Sequence, residues 1–262
     1  MKTYDMFNIK GKLALVTGGG RGIGKYIARG LAEAGANLII ASRKKRNLEE
    51  TAAEIISDCG VEIQPVACDL GKVEDINNLV DIVTNSHRRI DILINNAGVT
   101  WGAPTLEYPQ EKWDQLFNVN VSGVWYLTQK IAKLMKEQGG GNIINISSIW
   151  AYRGSYEKIH PAVPYNVTKA AINLLTMNLA VKLAPHNIRV NAIAPGFFPG
   201  GMMSYVQKEG FEDDYSEFIK MVPMHRFGEA NDIKAVAVFL ASDAAAYVTG
   251  HVLAVDGGFL AR

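Results

Sequence analysis

The chain has 262 residues, 48% of them hydrophobic, which suits one large domain with a sizeable core. Its 27 Lys and Arg balance 26 Asp and Glu, so no field of one sign draws it to nucleic acid or anionic lipid. The opening MKTYDMFNIKGK has no apolar signal core and no later run is long enough to span a bilayer; a soluble, cytoplasmic protein without membrane or nucleic-acid partners is expected.

Short apolar runs alternate with longer segments of helical period, which predicts an α/β fold, a parallel sheet of about seven strands with helices on both faces. The predicted strands are Leu13–Thr17, Asn37–Ser42, Glu62–Ala67, Ile90–Asn95, Asn142–Ser147, Arg189–Ala194 and Val252–Val255. The predicted helices are Ile23–Ala34, Leu48–Asp58, Val73–Ser86, Lys112–Glu137, Val163–Leu183 and Asn231–Ala241. The whole of 1–262 reads as one domain, interrupted at about 197–227 by a Gly- and Pro-bearing, acidic insertion expected to act as a lid. Cys59 and Cys68 are expected as free thiols, and no metal site is expected.

The first strand runs straight into Thr17-Gly-Gly-Gly-Arg-Gly-Ile-Gly24 and then a helix. Glycines suit a tight turn whose backbone approaches a pyrophosphate, with the helix N-terminus offering free N–H groups. Gly18, Gly22, Ile23 and Gly24 are therefore dinucleotide candidates, although the spacing departs from the commonest fingerprint. The second strand closes on Ala41-Ser42-Arg43 with no carboxylate nearby, where an NAD-selective site places an acid. Arg21 and Arg43, assisted by Ser42, are expected to clamp the 2′-phosphate of NADP(H); the competing reading is a solvated basic loop, above all for residues 44–46.

Further along stand Cys68-Asp69-Leu70, Asn95-Asn96-Ala97-Gly98, Asn120, Ser147-Ser148, Tyr165 with Lys169 one helical turn later, Pro195-Gly196 and Asp256-Gly257-Gly258. Together with the glycine turn, these ordered motifs span the chain and resemble the short-chain dehydrogenase/reductase superfamily, in its single-domain, Rossmann-type branch. The branch includes 3-oxoacyl-carrier-protein reductases and gluconate 5-dehydrogenases. The resemblance implies an NADP(H)-dependent oxidoreductase moving hydride between nicotinamide and a carbonyl or secondary alcohol, with oxoacyl reduction placed slightly ahead of keto-sugar chemistry. It also implies a homotetramer built on the two long helices and the C-terminal strands. Family members that have become inert sensors usually lack the tyrosine or lysine, and both are present here.

By the same resemblance, Asp69 accepts from the adenine amino group with the Leu70 N–H nearby, and it can at the same time be a plain N-cap of the helix starting near Lys72. Asn96, Ala97 and Gly98 pack beside the adenosine ribose, Asn95 is mainly structural, and Pro195 and Gly196 border the nicotinamide. Tyr165 is the proton donor and acceptor; Lys169 and an oxidised nicotinamide together lower its pKa by roughly three units, on the order of 4 kcal/mol. Lys169 also binds the nicotinamide ribose, and Asn120 completes a proton relay through its backbone. Of the serine pair, strand alternation sends only one hydroxyl to the substrate, and the motif selects Ser148.

Two departures stand out. The loop from Ser148 to Tyr165 is long, so Tyr152, Tyr156 and His160 are candidate substrate contacts or simply exposed loop residues, and Tyr152, His160 and Asn166 are the polar groups that a polyol pocket would draw on. After Pro195-Gly196, Gly200 stands where a threonine often holds the carboxamide, leaving Ser204 or backbone groups as substitutes. Trp101, Phe197, Phe198, Met202 and Met203 are read equally as an apolar pocket wall or as packing between lid and body.

Overall fold

The structure is a computed structural model that describes residues 2–87, 89–200 and 212–262. Seven strands form one parallel sheet: β1 (Leu13–Thr17), β2 (Asn37–Ser42), β3 (Ile63–Ala67), β4 (Ile92–Asn95), β5 (Gly141–Ile146), β6 (Ile188–Pro195) and β7 (Val252–Val255). Their spatial order is β3-β2-β1-β4-β5-β6-β7. All five residues of β1 are buried, as expected of a central strand covered on both faces.

The helices are α1 (Gly22–Glu33), α2 (Lys45–Cys59), α3 (Val73–His87), α4 (Gln110–Phe117), α5 (Val124–Glu137), α6 (Val163–Leu183), α7 (Glu212–Lys220) and α8 (Ala230–Ala241). One buried cluster joins the sheet to α1, α2 and α8 through residues such as Ile27, Leu31, Leu48 and Ile233. A second joins the opposite face to α3, α5 and α6 through Leu79, Leu127, Ile131 and Leu179. This is the expected three-layer, doubly wound arrangement.

The predicted helix Lys112–Glu137 is in fact two. A π turn at Asn118–Gly123 separates α4 from α5. The Asn120 side chain reaches out of the helix there, accepting from Val99 N at 2.8 Å and donating to Val99 O at 2.9 Å. Such turns mark places where a helix yields its own ladder to a tertiary demand. The apolar period of the sequence carries no sign of it.

The strand order reverses between the paired neighbours β1 and β4, from which the chain continues to opposite halves of the sheet. A crevice opens at the carboxyl ends of these strands because the loops that follow them leave in opposite directions. Asn95 secures the centre: its Nδ2 donates to Thr128 Oγ1 at 2.8 Å and Asn145 Oδ1 at 2.9 Å. Asn145 in turn donates to Thr176 Oγ1 at 2.9 Å, tying β4 and β5 to α5 and α6 through buried polar groups. Cys59 and Cys68 are both free, and burial pushes the Cys68 thiol up to about 12. Among the described residues no helix is long and apolar enough to cross a membrane.

Candidate active site

A cleft of about 440 Å³ runs along the switch point from the glycine turn to Tyr165. Its first wall is the turn after β1. Gly18 has φ of +70°, and a Cβ there would lie 2.5 Å from Asn96 Nδ2. A Cβ on Gly24 would overlap Gly18 O and the same amide. These positions exclude side chains because Asn96 holds the turn closed, its Nδ2 donating to Thr17 O at 2.9 Å. Thr17 Oγ1 donates to Ile94 O at 3.1 Å and accepts from Asn96 N and Ala97 N at 3.0 and 3.1 Å. Thr17 thus links the two loops that form the crevice. As a turn-leading residue it was quoted in the motif but not counted among the candidates.

Every cofactor candidate lines this one cleft: Gly18, Arg21, Gly22, Ile23, Gly24, Ser42, Arg43, Asp69, Leu70, Asn96, Ala97, Gly98, Tyr165, Lys169, Pro195 and Gly196. Arg21 and Arg43 are exposed at its outer end, on the turns after β1 and β2. Asp69 Oδ1 accepts from Gly71 N at 2.9 Å, folding its own turn; α3 starts only at Val73, so the expected helix cap is not its role. Gly196 N donates to Val255 O at 2.9 Å, and a Cβ on it would come within 2.7 Å of Asp256 Cα. Asp256 fixes the C-terminal turn by accepting from Gly258 N and Leu260 N at 2.9 and 2.8 Å.

At the inner end, Tyr165 and Lys169 project from the first turns of α6, and both are buried. The Tyr165 and Ser148 side chains both line the cleft, and Ser148 is near enough to favour the ionised phenol. Ser148 Oγ also accepts from Trp150 N at 3.2 Å, capping a 3-10 turn at Ile149–Ala151. Ser147 points the other way, donating to Asn173 Oδ1 at 2.5 Å and Lys169 O at 3.3 Å, which locks β5 to α6. The alternation expected of the pair is therefore present, with Ser148 on the cleft side.

Lys169 Nζ donates to Ile146 O at 2.7 Å. Its ammonium lies 5.7 Å from the Tyr165 ring centroid. Burial lowers the Lys169 pKa to about 8. Burial also holds the Tyr165 phenol above its ordinary value, while Ser148 works in the opposite direction. Among the polypeptide's own groups, then, desolvation outweighs the effect of Ser148; the expected depression draws on the charge of an oxidised nicotinamide as well. The phenol is a protonated acid at neutral pH. Asn120 is buried off the cleft wall, its side chain spent on Val99 and on Thr168 Oγ1, to which it donates at 3.2 Å.

The inner wall is apolar. Phe197 packs with Phe218, Phe227 and Phe259 at centroid separations of 4.9, 6.0 and 5.4 Å. Phe197 and Phe198 both line the cleft. Trp101 does not: it is half exposed, with Lys112 Nζ 4.7 Å above its ring. The indole in the wall is Trp150, a residue that sequence reasoning passed over. Tyr152 and Tyr156 are exposed and away from the cleft, whereas His160 lines it. Gly200 lines the cleft with φ of +86°. Met202, Met203 and Ser204 lie outside the described residues.

A family model described as enoyl-(acyl carrier protein) reductase matches residues 18–260. The chain belongs to this short-chain dehydrogenase/reductase family. It is an oxidoreductase enzyme of that family. The 2-dehydro-3-deoxy-D-gluconate 5-dehydrogenase of Bacillus subtilis is 40% identical over 99% of this chain and 98% of its own. The 3-oxoacyl-acyl-carrier-protein reductase of Aquifex aeolicus is 37% identical, over 95% of this chain and 98% of its own. A crystal structure of a gluconate 5-dehydrogenase from Burkholderia cenocepacia J2315, in complex with NADP and tartrate, superposes with a TM-score of 0.89 at 33% identity, covering 100% of both chains.

Proposed function

We propose that this enzyme is an NADP(H)-dependent carbonyl reductase and secondary-alcohol dehydrogenase whose chemistry rests on Tyr165, Ser148 and Lys169, with Asn120 in support. The observation that carries the reading is the continuity of one cleft from Arg21 and Arg43, through the glycine turn, to the Tyr165 and Ser148 side chains.

The residues fit a dinucleotide with a 2′-phosphate. Gly18 and Gly24 let the turn close tightly on Asn96, so that its backbone lines the cleft where a pyrophosphate would lie. Two guanidinium groups flank its outer end, suited to bidentate recognition of a phosphate, and the end of β2 carries no carboxylate. The Burkholderia relative was crystallised with NADP. When bound, the nicotinamide supplies hydride exchange with the carbonyl carbon.

The polypeptide handles the proton. In reduction, Tyr165 Oη donates its proton to the oxygen that gains charge, and Ser148 Oγ hydrogen-bonds the same oxygen. Lys169 keeps a positive charge within reach and replaces the proton that Tyr165 gives up. Asn120 clamps Val99 to α6 and so fixes the loop beneath Gly98; a Cβ on Gly98 would lie 3.2 Å from Asn120 Oδ1 and 3.7 Å from Lys169 Nζ. The lid expected at 197–227 lies in part outside the described residues; of its described part, Phe197 lines the cleft and packs with Phe218 and Phe227.

The partner is a small carbonyl compound or alcohol, either a 3-oxoacyl thioester or a keto-sugar. A second copy of the chain covers one side of α6, where Val163, Val167, Leu174, Met177 and Val181 are exposed in one stripe. We take the assembly to be a homotetramer. NADPH consumption against ketones, aldehydes, oxoesters and keto-sugars tests the activity. Silence across that panel with NADPH binding intact favours a sensor instead.

A further inference from the structure

His160 is the polar group of the inner cleft whose presence the proton chemistry does not explain. Its backbone is fixed by the turn from Tyr156: His160 N donates to Tyr156 O at 3.0 Å, and Ser155 Oγ donates to His160 O at 3.1 Å. Its ring stacks on Trp150 at 4.8 Å and 5°, and meets Tyr165 edge-on at 5.5 Å and 75°. The wall around it, Ile149, Trp150, Ile159 and Phe197, is apolar. A phenyl ring would stack there equally well and would spare the cost of burying ring nitrogens.

Two buried atoms at this spot have no partner at hydrogen-bond geometry, His160 Nε2 and Asn166 Oδ1. Asn166 is nonetheless near enough to favour a proton on the imidazole. Its own Nδ2 is committed to Arg153 O at 3.3 Å, so Oδ1 is the atom left for the ring. Were Nε2–H to pair with this Oδ1, Nδ1 would be left as an acceptor. Burial lowers the His160 pKa to about 4, so the ring is neutral at pH 7 and offers no countercharge to a carboxylate.

We propose that His160 is a specificity-determining residue whose Nδ1 accepts a hydrogen bond from a hydroxyl on the carbon beside the reacting carbonyl, which makes a hydroxylated ketone the preferred substrate. The proposal rests on the carbonyl-reductase reading above and narrows it. A plain 3-oxoacyl chain has no donor to give this acceptor and leaves it unsatisfied. A keto-sugar has one on the adjoining carbon.

Acetoin and 2-butanone differ by one such hydroxyl, and ethyl acetoacetate supplies an oxoester without it. Steady-state NADPH consumption is measured on the full chain for the unmodified enzyme, His160→Phe and His160→Asn. The unmodified enzyme is expected to favour acetoin over 2-butanone in kcat/KM by about tenfold or more, the usual scale for one hydrogen bond in a buried pocket. His160→Phe, which keeps the stack on Trp150, removes that preference while leaving 2-butanone and ethyl acetoacetate within about twofold; His160→Asn, which keeps an acceptor, restores part of it. Equal loss on all three substrates in His160→Phe means a packing role and overturns the proposal, as does an unmodified enzyme with no preference for acetoin. Turnover of none of the three by the unmodified enzyme defeats the carbonyl-reductase reading itself, a result distinct from turnover without discrimination.

Discussion

The ammonium of Lys169 donates to the carbonyl oxygen of Ile146 at 2.7 Å, tying the first turns of α6 to the end of β5 two residues before Ser148. Three side chains from two elements thereby keep a fixed relationship: Ser148 leaves the strand, Tyr165 and Lys169 leave the helix, and this bond spans the gap. The cost is burial of the ammonium, seen in a pKa lowered to about 8.

That cost predicts a pH profile. In the free enzyme the ammonium is lost as pH rises through about 8, whereas Tyr165, held above its ordinary value, stays protonated. The kcat/KM for NADPH-dependent reduction is expected to fall above about pH 8, since this ratio reports the free enzyme's groups. Lys169→Arg, whose charge persists, should move that fall to higher pH. A flat profile up to pH 10 in the unmodified enzyme would contradict the assignment.

Cofactor choice is tested at Arg43. It is exposed on the turn after β2, so Arg43→Ala should change thermal stability little. KM for NADPH should rise about tenfold or more from the loss of a charge-assisted contact. KM for NADH should barely move. Equal effects on the two cofactors would argue that Arg43 belongs to a solvated loop.

His160 predicts an acid limb in stability. Its pKa is 6.5 when unperturbed and about 4 in the fold, so over that interval the unfolded chain binds more protons. Stability therefore falls as pH drops from 6.5 toward 4, by on the order of 3 kcal/mol at the low end for a shift of this size. Chemical denaturation at pH 7 and pH 4 should show this component in the unmodified protein and its absence in His160→Phe. Identical pH slopes in the two proteins would contradict the burial described here.

Much of this arrangement is legible in the residues. Val163–Leu183 is found as predicted because a long apolar period begins beside Pro164, a residue suited to a first helical turn. The strands Leu13–Thr17 and Asn37–Ser42 match because buried parallel strands read as short, continuous apolar runs, and the partly exposed edge strand Val252–Val255 keeps the same apolar run. An asparagine inside a helical period reads as a local defect or kink, but the reason for the break at Asn118–Gly123 is not legible, since the Asn120 side chain binds Val99, 21 residues away. The pocket wall is equally hidden. Trp101 and Trp150 both stand in loops after strands, and only the packing of Phe197 and Phe259 against Trp150 decides which one faces the cleft. The direction of the Tyr165 shift depends on burial, which side-chain spacing does not encode.

Assembly is tested on α6. Leu174 and Val181 are 62% and 77% exposed on one stripe, a pattern that a second copy would cover. Sedimentation of the unmodified protein should give the mass of four chains, and Leu174→Asp with Val181→Asp should give a smaller species. A mass near one chain for the unmodified protein would refute the tetramer.

The central claim is that Tyr165 gives the proton to the reduced carbonyl. The most direct measurement pairs NADPH binding with single-turnover NADPH oxidation in Tyr165→Phe and in the unmodified enzyme. The ring lies against His160 and within 5.7 Å of Lys169, so phenylalanine preserves the packing and removes only the hydroxyl. The expected result is unchanged NADPH affinity with turnover reduced by about 10³-fold or more, at the strong end of general acid catalysis. Turnover within about tenfold of the unmodified enzyme, at full NADPH affinity, would show that another group supplies the proton.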